Sequence, residues 1–170
     1  MTHIRRQVRE AVATLLLAAG GATDPAPWEG RVYMGKRWRW QTEGDAAQVP
    51  GVAIYTDAER VTMQDFGRAQ SRTIAVLIEL AATPDGDEGS TEEALEDRLD
   101  LMQERVEEAI GRDNRLPTVG HPDGLVMDLS LQAVATGIDA DGNVLVAIRR
   151  MTWAAEAWTT EGAPDVAIGP

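Results

Sequence analysis

Two histidines, three serines and no cysteine limit what a catalytic centre could be built from in this 170-residue chain. The lack of cysteine excludes disulfides, thiolate metal sites and cysteine nucleophiles together, and it fits a reducing compartment. His3 stands at the start of the chain, and His121 precedes Pro122-Asp123-Gly124, a turn sequence. Both read as surface residues rather than as a general base. Ser71, Ser90 and Ser130 do not sit in the Gly-x-Ser-x-Gly setting of a nucleophile turn. A serine triad needs a base and an orienting group converging on one hydroxyl, and nothing in the spacing supplies them. Ser90 instead stands three residues before Glu93, the spacing of a capping box. No Gly-x-x-x-x-Gly-Lys-Ser/Thr run occurs, and no strand pattern leads into Gly-x-Gly-x-x-Gly, so a phosphate cradle has no support.

The carboxylates offer more material but little convergence. Asp139-Ala140-Asp141-Gly142-Asn143 begins like a calcium loop, yet its Gly is fourth rather than sixth and strand patterns flank it, so it reads as a turn. Asp85-Gly86-Asp87-Glu88-Gly89 reads as a solvated loop. Glu92, Glu96, Asp97, Asp100, Glu104, Glu107 and Glu108 surround three sides of a helical pattern whose fourth side is apolar. That is the pattern of a surface helix before it is one of paired acid–base catalysts. The Lys36 to Gln41 segment alternates Arg37 and Arg39 with Trp38 and Trp40. A strand would point rings and cations to opposite faces, whereas a single-stranded nucleic-acid platform needs them on one. The tryptophans therefore read as core. No catalytic residue, cofactor or metal is expected.

The elements that would position these residues are legible from periodicity. Ile4, Val8, Ala11, Val12, Leu15 and Leu16 form one helical stripe, with Thr2 as a cap and Gly20-Gly21 as the stop. Arg5, Arg6 and Arg9 ahead of an apolar run partly resemble a signal peptide, but Glu10 and the helical spacing favour a folded amphipathic helix over 3–19. Strands are expected at about 31–41, 52–56 and 72–82, with a loop or excursion over 57–69. Ser90 opens a helix over 91–110 with the stripe Leu95, Leu99, Met102, Val106, Ala109, Ile110, ended by Gly111. A long β-hairpin over 125–158 turns at Asp141-Gly142, and 159–170 reads as a flexible tail. The expectation is one α+β domain over 1–170: a mostly antiparallel sheet packed with two helices, ending in a long hairpin. A chain of this size buries roughly 70% of its unfolded surface without staples. No apolar run approaches the ~20 residues of a membrane span.

The net charge of −12 is unevenly spread: residues 1–85 carry ten basic and ten acidic side chains, residues 86–170 six and eighteen. Such a protein repels duplex DNA, whose affinity for proteins comes mainly from neutralised phosphates. All basic residues but Lys36 are arginine, which suits interfaces. Arg31, Arg37, Arg39 and Arg68 are expected as a basic surface that meets acidic positions of another copy head to tail. Glu96, Asp100 and Glu104 of the acidic helix, with Arg149 and Arg150 of the last strand, complete the expected subunit or partner interface.

The order of landmarks resembles the tail terminator proteins of long-tailed bacteriophages, of the lambda minor tail protein U type. An N-terminal helix is followed by Gly30-Arg31-Val32-Tyr33, then by Val49-Pro50-Gly51-Val52-Ala53-Ile54-Tyr55-Thr56. A long strand bearing Arg72 and Glu79 comes next, then a helix with regularly spaced Leu and Val, then Asp113-Asn114-Arg115-Leu116. Leu129-Ser130-Leu131 and Arg150-Met151-Thr152-Trp153 close the series. The similarity covers nearly the whole chain; Trp38, Trp40 and residues 57–71 stand outside it. It implies a structural virion protein without catalytic signature. Such a protein assembles in the host cytoplasm as a six-fold homo-oligomeric ring of the tail. That ring would touch the tail tube protein on one side and a head-completion or connector protein on the other, with DNA only passing through an acidic lumen and no membrane contact. A head–tail connector or tail-completion protein shares these traits. A small-molecule enzyme or binding domain, or an acidic nucleic-acid mimic, would be a different class.

Overall fold

A computed structural model describes residues 2–20, 24–35, 40, 47–64, 68–84, 92–139 and 145–168. It is an α+β fold with two helices and a six-stranded, mostly antiparallel sheet. Helix α1 runs Ile4–Ala18 and α2 runs Glu92–Arg112. The strands are β1 Val32–Met34, β2 Gly51–Met63, β3 Ala69–Ala82, β4 Asp128–Asp139, β5 Val146–Thr160 and β6 Ala163–Ile168. Their order across the sheet is β1-β2-β3-β5-β4, and β6 pairs with the end of β5. Only β1 is parallel to its neighbour. No helix among the described residues is long and apolar enough to cross a membrane.

Both helices form because their apolar residues recur every three or four positions, and both lay that stripe on one face of the sheet. Ile4, Val8, Val12 and Leu16 of α1, and Leu99, Met102, Val106 and Ile110 of α2, are buried there. They meet Ile74, Val76, Ile78 and Leu80 of β3, and Met151, Trp153 and Ala155 of β5. Each such aliphatic side chain contributes about 1.5–3 kcal/mol on leaving water. α1 is capped by His3 rather than Thr2: its Nδ1 accepts from the Arg5 N–H at 3.2 Å. α2 continues through Gly111 to Arg112, because a helical glycine costs only about 1 kcal/mol against Ala and its stripe is already buried.

Among the described residues no helix lies on the opposite face. At one end it carries a small second cluster of Trp40, Val49, Ala53, Ala81 and Val146, with Tyr33 edge-on to Trp40 at 6.2 Å. Trp40 is thus core as expected, but it is buried outside any strand rather than by strand alternation; Trp38, Arg37 and Arg39 lie outside the described residues.

Several boundaries differ from expectation. Of the strand expected over 31–41, only Val32–Met34 form one among the described residues: Gly35 bends away with φ 137°, and Trp40 lies outside any strand. β3 begins at Ala69 rather than Arg72. The strand at 52–56 does not end there: β2 passes a bulge between Thr56 and Glu59 and stays paired to β3 through Met63. Residues 57–63 look like a loop in sequence because, Glu59 apart, this hairpin end is exposed, so no apolar alternation marks it. The C-terminal hairpin joins β4 to β5, but Leu125 and Val126 precede β4 as buried, non-strand residues. Within the segment expected as a flexible tail, the described residues 159–168 include strand. β5 continues to Thr160, Gly162 adopts φ 79°, and β6 folds back against Trp158–Thr160. Thr159 and Ala167 are buried by that return, which polar composition alone did not announce.

Candidate functional site

The charged groups that the fold buries are organised by β5. Strand alternation sends its consecutive arginines, Arg149 and Arg150, to opposite faces. Arg149 faces the helices, with its side chain 7% exposed. Its Nη2 donates to Glu96 Oε2 at 2.6 Å, its Nη1 to Asp100 and to Gln103 Oε1, and its Nε to Thr136 Oγ1 at 3.2 Å. α2 is therefore clamped to the sheet by one guanidinium whose fork spans three helix residues.

Arg150 points to the helix-free face, where its cross-strand partner is Glu79. Glu79 is 3% exposed, and its Oε1 accepts three donors: Arg150 Nε at 2.9 Å, Arg150 Nη2 at 2.6 Å and the Tyr55 hydroxyl at 2.8 Å. Burial, then the hydrogen bond and charge of Glu79, push the Tyr55 hydroxyl up to about 12. The hydrogen bond to Glu79 likewise holds the Arg150 guanidinium above its ordinary value. At neutral pH this arrangement is a neutral phenol and a cation both donating to one carboxylate. It fixes a half-exposed guanidinium on the sheet surface rather than poising a base.

A third network lies at the far end of the sheet. Arg72, 8% exposed, donates to Thr159 Oγ1 at 2.7 Å, Glu59 Oε1 at 2.5 Å and Gln70 Oε1 at 2.7 Å. It ties the end of β2 to β3 and β5.

The expected interface residues fall as follows. Glu96, Asp100 and Arg149 are brought together, but inside one chain, so their charges already serve the α2 contact. Arg150 is held by Glu79. Glu104 is exposed in an open groove along α2 with Asp100, Gln103, Glu107 and Glu108. Arg31 bonds Glu29 at 2.8 Å and lies by the start of β2; Arg68, 80% exposed, follows the other end of β2. Those two do not share one basic surface, because the length of β2 separates them. Arg37 and Arg39 lie outside the described residues.

Tyr55 and Glu79 were not singled out as site residues. The signal was a lone acid in an otherwise apolar stretch of β3, but pairing it with Arg150 requires the β3–β5 register. Trp28 was missed for another reason: it stands in a proline-flanked loop, yet it is fully buried and donates its indole N–H to Leu16 O at 3.2 Å.

The catalytic candidates stay apart in role. His3 caps α1, and His121 exchanges two backbone hydrogen bonds with Thr118 in a turn. Ser130 accepts from Gln132, and Ser71 lies 3.5 Å from Glu156. Among the described residues no group of three or more His, Asp or Glu is placed to hold a metal ion. No protein-family model matches the chain, and no curated protein matches its sequence.

Proposed function

We propose that this chain is a structural virion subunit, a tail terminator. It would form a ring, six-fold by the resemblance, that caps the tail tube of a long-tailed bacteriophage, stops its growth and joins it to the head. The observation that supports this most is the order of elements. The helix, the β1–β2 pair, the long β3 bearing Arg72 and Glu79, the acidic helix and the closing β4–β5 pair follow the landmarks of the resemblance one after another. Its buried charges also favour a scaffold over a catalyst, since each buried guanidinium or carboxylate is committed to holding elements together. A ring needs contacts between unlike patches, which close if the rotation per subunit allows. The lumen is acidic in this reading, so that DNA passes without adhering.

Purified protein added to growing tail tubes is the test. A terminator gives tubes of fixed length with the protein at one end. Tubes that grow unchanged while the protein binds capsids would assign it to the head–tail connector instead. Turnover of a small molecule, lost on removing one carboxylate, would overturn both.

A further inference from the structure

We infer that the basic flank of α1, bearing Arg5 and Arg9, docks into the acidic groove on the outer flank of α2 of a second copy of this chain, where the Arg9 guanidinium meets Glu104 and Glu107. The identity of the partner rests on the ring reading above; the contact itself rests on the two flanks.

α1 packs over β1 and β2, and α2 over β3 and β5, so the helix layer has two outer flanks. Arg5 and Arg9, one turn apart, lie on the flank of α1 that faces away from α2. The Arg5 guanidinium donates to the carbonyls of Thr56 and Asp57 on β2 at 3.1 and 2.7 Å. Gln7, on the opposite flank, reaches instead to Asp165 O on β6, beside β5, at 2.9 Å. Both arginines are half-buried, and the Nε of each is buried without a partner. Among the described residues Arg5 meets only main-chain carbonyls, and Arg9 meets no acceptor at all. Two like charges one turn apart are unfavourable by themselves, and a buried polar atom without a partner adds a desolvation cost. A carboxylate from outside relieves both.

The outer flank of α2 supplies carboxylates in excess. It faces β4, since Arg149 reaches Asp100 and Gln103 on that flank and Thr136 on β4. A groove of about 350 Å³ runs along it, lined by Asp100, Gln103, Glu104, Glu107 and Glu108. Asp100 is bonded by Arg149, Glu107 by Gln103 at 2.7 Å, and Glu108 by Arg105 at 3.2 Å. Glu104 is exposed and has no partner among the described residues.

The two flanks stand at one level along the strands. Thr56, beside Arg5, aligns through Val76 with Trp153 and Leu131. On α2, Gln103 is bonded to Arg149, which is level with Leu80, and Asn114 to Asp128, which is level with Glu156 and Thr73. Glu104 and Glu107 lie between those two ties, as Val76 lies between Leu80 and Thr73. A second copy set beside the first therefore brings Arg9 to Glu104 and Glu107 without sliding along the strands. A guanidinium suits this seat, because its fork can bond two carboxylates at once. Docking takes the pair out of water, so salt screens it little. Because the two flanks differ, the contact is heterologous and every copy retains one of each until the circle closes. The partner is a second copy because one chain carries both members, opposite in charge and equal in level.

Exchanging the charges tests the contact. Arg9→Glu and Glu104→Arg are each expected to weaken association about tenfold or more by sedimentation, alone and on tail tubes, with an unchanged circular dichroism spectrum. The double variant Arg9→Glu with Glu104→Arg is expected to return to within about threefold of wild type. Net charge alone gives a different pattern, since Glu104→Arg lowers the repulsion between copies. Arg60→Glu, at an exposed position on the helix-free face, changes the net charge as Arg9→Glu does and is expected to leave association near wild type. Equal losses from Arg9→Glu and Arg60→Glu, or a double variant no better than the single ones, overturn the contact and leave the ring reading standing. Glu104→Arg that associates like wild type while Arg9→Glu is weakened assigns the α1 flank to a different anionic partner, and overturns the contact as well. Wild-type protein that stays monomeric both alone and with tubes overturns the two together.

Discussion

Tyr55 shows how one hydroxyl can record the state of a buried pair. Its pKa in the fold stands near 12 against an ordinary value near 10, because burial and the Glu79 carboxylate both disfavour the phenolate. The folded state thus holds this proton more tightly than the unfolded state. That stabilisation is complete below pH ~10 and disappears as pH rises from about 10 towards 12. Urea unfolding of wild type is therefore expected to show a fall in stability over this window. Tyr55→Phe lacks that component, so its curve is flatter there, while at pH 7 it is about 1 kcal/mol less stable for want of the hydrogen bond to Glu79. Identical alkaline slopes would mean that the hydroxyl is not the group responsible.

The elements are fastened by two arginines that look interchangeable in sequence and are not. Arg149→Ala releases Glu96 and Asp100, whose side chains are 49% and 68% exposed. Both can return to water, so the expected cost is about 1–2 kcal/mol of lost hydrogen bonds and packing, with faster amide exchange along α2. Arg150→Ala leaves Glu79, 3% exposed in the wild-type fold, with the Tyr55 hydroxyl as its remaining donor among those described, and stranding a buried charge costs about 3–5 kcal/mol. Denaturant midpoints of the two variants decide the point: equal losses would show that Glu79 relaxes to solvent. The same contrast explains what was legible in the sequence. Helical stripes and the apolar run of β3 announce themselves, because burial on one face imposes a period. The extension of β2 and the return of β6 do not, because a hairpin end with two wet faces and a short strand of Ala, Pro, Asp and Val carry no such imprint. The destinations of Arg149 and Arg150 follow from alternation once the strand is placed. Their partners do not, since those come from register and from the docking of α2. Arg31 and Arg68 looked like one patch only because sequence does not show that β2 separates them.

At the scale of the whole molecule, charge opposes both folding and assembly. α2 alone carries eight acids and three arginines, and Glu92/Glu96, Glu96/Asp100 and Glu104/Glu108 are like-charged pairs one turn apart. The chain as a whole stands at −12, so copies repel on approach. Raising the ionic strength from about 0.01 M to 1 M shortens the screening length from ~30 Å to ~3 Å. That removes repulsion acting over the length of α2, while the contacts of Arg149, with its side chain 7% exposed, are screened much less. The melting temperature is therefore expected to rise with salt. Association of copies is expected to strengthen in parallel, because the same screening lowers the repulsion between two chains that each stand at −12. Calorimetry and sedimentation across a salt series test this. If association weakens while the melting temperature rises, ion pairs between exposed side chains of opposite sign dominate the contact between copies.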